Sequence, residues 1–240
     1  MLEKTPIVAE KIPTLHPQWN ALDFVDILSL PTAWLSIGQS NSILSSFGAQ
    51  SSEGVWERAR RPGGSIGNTL KLALTCRDAG VRVIWFRYEI FRDGYPGTAM
   101  DRAQWSYWTA GKNWSADERA RDADLISEVK AMMQPEDPVL HYSTLGNVFL
   151  GTMLPSYLTM WGIRTVLLSG YHLDWCIEQA ARTARDLGYM PVVIGDACGC
   201  GREEDDAPTL ERLNSFFAPV LSTDVVTEHL RRARAATPAR

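Results

Sequence analysis

The chain has 240 residues, of which 45% are hydrophobic and 22% charged, and its formal net charge is −4. This length suits one large domain with its own core, and the composition is that of an ordinary globular protein. A slightly acidic chain without a basic block argues against nucleic acid or an anionic membrane as a partner. We find no apolar signal segment and no run of 18 apolar residues, so we expect a cytoplasmic protein.

Residues 1–30 contain prolines at 6, 13 and 17 and are predicted to be an irregular N-terminal extension. TAWLSI (32–37) predicts a buried strand, and GSIGNTLKLALTCRDAG (64–80) predicts a helix that stops at Gly80. VRVIWFRYE (81–89) predicts the next strand. The aromatic- and glycine-rich segment 90–118 is too long for an ordinary connection, and we predict a functional lid or an interface insertion.

The rest of the chain alternates apolar strands with helices. The pattern predicts, in order, a helix at about 119–133, strand PVLHYS (138–143), a helix at about 151–162, strand TVLLSG (165–170), a helix at 174–188, strand MPVVIGD (190–196) and helices at 208–217 and 222–235. Continuous apolar strands separated by helices favour a mostly parallel sheet covered on both faces. We therefore predict one three-layer α/β/α domain over residues 31–235, with ligands bound at the carboxyl ends of the strands.

The four cysteines are unevenly spaced, at positions 76, 176, 198 and 200. In a chain of this length such spacing indicates reduced thiols rather than a disulfide framework. Cys198 and Cys200 flank one glycine and have the chemistry to bind a soft metal. No second Cys/His pair with zinc spacing accompanies them, so we predict no metal and no cofactor.

Cys176 follows a predicted strand in GYHLDWC. With Asp174 as N-cap, it falls in the first turn of the next helix, where free N–H groups favour a thiolate and can receive an oxyanion. The alternative is that Cys176 is a small buried core residue, which is common for cysteine. These residues alone leave both interpretations open.

The stretch GYHLDWCIEQAARTARDLGYMPVVIGDAC resembles the signature of the isochorismatase-like cysteine hydrolases. Similar pieces occur in the family's order elsewhere in the chain: TAWLSIGQSN, LALTCRDAGVRVIWFRYE, NVFLGTMLPSYLTMWGIRTVLLSG and APVLSTDVVTEHL. The resemblance covers most of residues 32–230. It implies an isochorismatase-like, Rossmann-like three-layer fold and hydrolysis of C–N bonds in amides, ureas, carbamoyl compounds or cyclic imides.

The resemblance also implies particular residues. Cys176 takes the place of the family's nucleophile, the bond Tyr171–His172 that of an unusual cis peptide, and the N–H groups of His172 and Cys176 those of the oxyanion hole. The family also uses an Asp at the end of its first strand and a Lys after the strand that corresponds to PVLHYS. Here the Asp position falls on Ile37 or Gly38, and the Lys position falls within 141–143, where no lysine occurs.

Three residues at strand ends are candidates to replace the missing partners. Glu89 is a candidate for a relocated carboxylate, His141 for an acid–base residue, and the His172 side chain for a lining group of the cleft. Each has a plainer alternative. Glu89 then anchors the insertion, His141 holds a backbone carbonyl in the core, and His172 faces solvent or an interface.

Aromatic and basic residues near the strand ends are candidate substrate contacts. Rings of the insertion are able to roof a pocket for a planar substrate, and an arginine is able to hold a substrate carboxylate. A local mini-core, a subunit contact or a solvated arginine is the competing interpretation. The candidates are Tyr142, Tyr171, Arg87, Trp105 and Trp108.

We therefore predict a hydrolase that cleaves a C–N bond of a small molecule, aromatic ones included, through a Cys176 thioester. Two alternatives remain: a non-covalent hydrolase or lyase on the same scaffold, and a non-catalytic ligand-binding or scaffold protein. The expected partners are a small-molecule substrate and, as the resemblance implies, copies of the chain in a homodimer or homotetramer.

Overall fold

A computed structural model describes residues 12–89, 97–142 and 146–236. The strands in these ranges are β1 (Thr32–Ile37), β2 (Arg82–Tyr88), β3 (Val139–Tyr142), β4 (Thr165–Tyr171), β5 (Met190–Gly199) and β6 (Val220–Leu221). They form one sheet in the order β3-β2-β1-β4-β5-β6, and every pair is parallel. Leu35 of the central strand β1 lies opposite both Ile84 of β2 and Leu168 of β4.

Helices flank the sheet. They are α1 (Phe24–Ser29), α2 (Asn41–Leu44), α3 (Val55–Arg58), α4 (Ser65–Asp78), α5 (Ala99–Trp108), α6 (Ala116–Ala123), α7 (Ser127–Lys130), α8 (Leu154–Met160), α9 (Glu178–Asp186), α10 (Asp206–Arg212) and α11 (Thr223–Ala236). Helix α11 contacts both α1 and α4, while α9 packs on β4 and β5. None of the helices in the described ranges combines the length and apolar character that a bilayer crossing needs.

The predicted parallel α/β fold is confirmed. Every residue of β1 and β4 is buried. These strands are apolar throughout because helices cover the sheet on both faces, which leaves no solvent side to favour alternation.

Several elements differ from the sequence prediction. The helix expected at 119–133 is two short helices, because Leu125 pairs with Ser40 in an isolated bridge between α6 and α7. The N-terminal extension is not wholly irregular: Asp23 accepts hydrogen bonds from the first N–H groups of α1, whose Phe24 and Leu28 are buried. The two-residue strand β6 escaped prediction because it is too short to show a pattern.

The insertion at 90–118 contains regular structure in its described part. Residues 90–96 lie outside the described residues, while Thr98 and Asp101 form a capping box that starts α5. A segment of this length therefore builds a helix of its own, and its function as a lid or an interface stays a prediction.

The strand order defines where a ligand crevice is expected. The chain reverses direction across the sheet between β1 and β4, which is the topological switch point of such a fold. Gly38 follows β1 there with a positive φ of 69°, and the turn that carries Cys176 follows β4. The switch point thus brings together the two segments that the sequence singled out.

Candidate active site

Cys176 lies in a tight turn at the carboxyl end of β4. The peptide bond Tyr171–His172 is cis, as the resemblance implied. Residues Leu173–Ile177 then form one π-helical turn that continues directly into α9. Cys176 therefore precedes α9 and does not belong to its first turn.

The Cys176 sulfur is enclosed by protein. The side chain has no exposed surface, and burial raises the pKa of its thiol to about 12. Three neighbouring groups act in the opposite direction and lower the thiol pKa: the hydroxyl of Tyr142 and the backbone N–H groups of His172 and Cys176. The two N–H groups are those that the resemblance implied for the oxyanion hole.

Of the two influences on the thiol, desolvation outweighs the neighbouring groups that would favour a thiolate. Asp174 was expected to cap a helix, but it makes no capping hydrogen bond, and His172 occupies the N-cap position. The Asp174 charge raises the pKa of Cys176 further. At neutral pH the group is a buried neutral thiol surrounded by hydrogen-bond donors.

Aromatic rings form a wall beside this thiol. The Tyr88 ring centroid lies 5.4 Å from that of Tyr142, 5.7 Å from that of Trp175 and 6.4 Å from that of Trp108. The Tyr88 hydroxyl is buried and has no hydrogen-bond partner within the described parts of the chain. Of the predicted substrate contacts, Tyr142 therefore reaches the sulfur, and Trp108 is separated from Tyr142 by the Tyr88 ring.

Glu89, His141 and Arg87 form a separate polar cluster. His141 Nδ1 lies 3.0 Å from Glu89 Oε2 and 3.3 Å from Arg87 Nε. One ring nitrogen either donates or accepts, so only one of these bonds exists at a time. Two predicted site residues, His141 and Glu89, are thus bonded to each other.

The strands place this cluster and Tyr142 on opposite faces of the sheet. Side chains alternate along β2 and β3, so Arg87 and His141 point to the face opposite Tyr88 and Tyr142. Tyr142 is the residue of β3 that reaches the sulfur. His141 and Arg87 thus lie on the face opposite Tyr142, and the roles predicted for them and for Glu89 stay predictions.

The His172 side chain is buried and bonded to a carboxylate. Its Nε2 lies 2.9 Å from Glu53 Oε2, and its ring stacks on Trp175 at 6.4 Å between centroids. Glu53 escaped the sequence analysis because it lies in a short turn after β1, 119 residues from its partner, with no periodic signal. His172 is thus buried within the chain and held in place by Glu53.

Tyr171 and Trp105 each contact another part of the chain. The Tyr171 phenol hydrogen-bonds to Ser65 and lines a pocket of about 300 Å³ at the end of β5. Only its backbone carbonyl faces the site, 3.5 Å from the Tyr142 hydroxyl. Trp105 packs on Trp114 at 5.4 Å and against the hydrophobic core, and its role as a substrate contact stays a prediction.

The Cys-Gly-Cys segment holds two separate buried thiols. Cys198 donates to the carbonyl of Ile194 at 3.2 Å, and Cys200 contacts Thr209 Oγ1 at 3.9 Å. Among the residues that the structure describes, no three His, Cys, Asp or Glu side chains cluster closely enough to hold a metal ion. No described group of residues is therefore arranged to bind a metal cofactor.

The family of the chain follows from comparison with known proteins. The model of the isochorismatase domain matches residues 38–225, well over half of the chain. The chain therefore belongs to the isochorismatase domain family.

Individual relatives agree with this assignment. The isochorismatase family protein YrdC of Bacillus subtilis is 29% identical over 108 residues, a match that spans 40% of this chain and 58% of YrdC. A cysteine hydrolase from Pseudomonas syringae pv. phaseolicola 1448A has the same fold, with a TM-score of 0.71 at 18% identity over 92% of this chain and 98% of its own. N-carbamoylsarcosine amidase from Thermoplasma acidophilum superimposes with a TM-score of 0.61 at 22% identity, over 81% and 98% of the two chains.

Proposed function

We propose that this chain is a cysteine hydrolase that cleaves a C–N bond of a small molecule through a thioester on Cys176. The observation that carries the proposal is the position of the sulfur at the switch point, with the N–H groups of His172 and Cys176 directed at it. When the sulfur attacks a carbonyl carbon, the developing oxyanion forms one bond away from that carbon. Donors that already surround the sulfur are close enough to receive it.

The buried surroundings support acyl transfer rather than simple binding. A site closed by Tyr88, Tyr142 and Trp175 excludes water, which strengthens each hydrogen bond to the oxyanion. The rings favour an uncharged, planar acyl group over an aliphatic or ionic one. Membership in a hydrolytic family and likeness to an amidase point to amide, urea, carbamoyl or cyclic imide substrates.

A second candidate is a non-catalytic ligand-binding protein on the same scaffold. The neutral thiol with its pKa raised to about 12 favours it, because a nucleophilic cysteine normally carries a lowered pKa. The two candidates differ in whether Cys176 is needed for turnover.

Turnover assays with single cysteine variants separate the candidates. We expect Cys176→Ala to lose at least about a thousandfold in kcat on a panel of amides, ureas, carbamoyl compounds and cyclic imides, because the nucleophile is gone. Cys76→Ala is the matched control, since Cys76 is an equally buried thiol in α4. Unchanged turnover in Cys176→Ala, or none in the wild type, would contradict the proposal.

Sedimentation of the same samples tests the expected dimer or tetramer.

A further inference from the structure

The proposed function leaves open what moves the proton of the thiol. The family's Asp and Lys positions hold no carboxylate and no lysine here, and Glu89 and His141 are bonded to each other. Among the described residues, Tyr142, at the end of β3, is the side chain whose hydroxyl lowers the pKa of the Cys176 thiol. This inference rests on the proposed function, since it concerns the same site.

Tyr142 is held in a defined position. Its side chain is buried, and its ring packs against those of Phe86 and Tyr88, at 6.4 and 5.4 Å between centroids. The hydroxyl lies 3.5 Å from the Tyr171 carbonyl, at the cis bond that leads into the turn carrying Cys176. The hydroxyl has one hydrogen to donate, so when it donates to Tyr171 its oxygen is free to accept the S–H of Cys176.

The end of β1 is shaped to leave room for this phenol. A Cβ added to Gly38 would lie 3.1 Å from the Tyr142 hydroxyl and would collide with the carbonyl oxygen of Tyr171. Gly38 also has a φ of 69°, which other residues adopt with strain. A carboxylate-bearing side chain therefore does not fit at Gly38 in this arrangement.

We propose that Tyr142 is a catalytic residue that relays the Cys176 thiol proton to the leaving nitrogen of the substrate. As the S–C bond forms, the S–H proton passes to the phenol oxygen, and the phenol gives its own proton to the nitrogen. The C–N bond breaks, the amine leaves neutral, and Tyr142 ends as it began. Water then attacks the thioester. The S–C bond breaks, the acid is released, and a proton from water returns to the sulfur along the same path.

A relay fits the charges of the site better than a standing thiolate does. Burial raises the pKa of Tyr142 well above its usual value and that of Cys176 to about 12. Both groups are therefore neutral at pH 7, and neither is a free base. The long 3.5 Å contact to Tyr171 costs little to break, which lets the phenol turn towards the leaving group.

An infrared measurement tests the contact without any substrate. The S–H stretching band of Cys176 is the band that Cys176→Ala removes from the spectrum. We expect Tyr142→Phe to shift this band, because the thiol loses its hydroxyl partner, and the matched variant Tyr88→Phe to leave it in place. Tyr88 is a neighbouring buried tyrosine whose hydroxyl has no partner in the described residues. An unmoved band in folded Tyr142→Phe would overturn the proposal.

A comparison of leaving groups tests the relay itself. An amide nitrogen needs a proton to leave, whereas p-nitrophenolate does not. Tyr142→Phe should therefore lose about a hundredfold or more in kcat on an amide, while acylation of Cys176 by p-nitrophenyl acetate changes by less than about threefold. Equal losses on both substrates would reduce Tyr142 to a structural role. If the wild type cleaves no C–N bond, the proposed function and the relay fail, while the infrared band still decides whether Tyr142 holds the thiol.

Discussion

At Cys176, burial and hydrogen bonding act in opposite directions, and burial is the larger effect. In the folded protein, burial raises the pKa of the thiol to about 12, while an unfolded cysteine titrates near 8.5. The folded chain thus keeps a proton that the unfolded chain loses as the pH rises. The stabilisation from the buried thiol is fully present below about pH 8.5 and is lost as the pH approaches 12.

The raised pKa predicts a pH-dependent loss of stability that is caused by Cys176. Between pH 8 and pH 10.5 the free energy of unfolding should fall by about 2 kcal/mol more in the wild type than in Cys176→Ala. Urea unfolding at the two pH values measures the difference, and the other buried thiols and phenols contribute equally to both proteins. Parallel losses in the two proteins would show that the Cys176 thiol is not buried as described.

Individual residues differed in how far the sequence revealed them. Cys176 and the cis bond before His172 were predictable because a local motif of a few residues specifies them. The contact of Tyr142 with the sulfur was not, because it depends on which face of β3 each side chain takes. Glu53 was unpredictable for a related reason: its partner His172 is brought close only by the fold.

At the level of elements, the end of β1 is packed directly against the end of β4. Gly38 leaves β1 in a left-handed conformation beside the cis bond that ends β4. The strand end and the turn that carries Cys176 therefore fit each other through a backbone contact that has no room for a side chain.

This close fit predicts the outcome of one substitution at the strand end. Gly38→Ala should lower the free energy of unfolding by at least about 1 kcal/mol, because alanine is strained at this φ and its Cβ meets Tyr171. Gly80→Ala is the control. Its φ of 74° is equally strained, but its Cβ meets no atom within 4 Å. Urea unfolding of both variants measures the difference, and a Gly38→Ala no less stable than Gly80→Ala would contradict the contact.

The strands were easier to predict than the helices. TAWLSI and TVLLSG are buried on both faces, so their apolar runs mark the strands directly, and the observed β1 spans the predicted residues. The helix predicted at 119–133 failed because the bridge from Leu125 to Ser40, formed only in the folded chain, interrupts the helical pattern.

For the whole molecule, the order of strands decides where chemistry can take place. The alternation of elements was enough to predict a parallel three-layer fold, but the order of the strands became visible only in the structure. That order places β1 beside β4, so Gly38, Tyr142 and Cys176 come from three strand ends at one edge. The site is a property of this topology, and each segment alone lacks it.

The central claim is that an acyl group is carried on the Cys176 sulfur during turnover. Acid quenching of the wild type with each member of the amide, urea and imide panel, followed by peptide mass spectrometry, tests this directly. We predict that a cleaved substrate leaves its acyl mass on the peptide that contains Cys176, and on no peptide that contains Cys76, Cys198 or Cys200. Steady turnover with an unmodified Cys176 peptide at every quench time would contradict the claim.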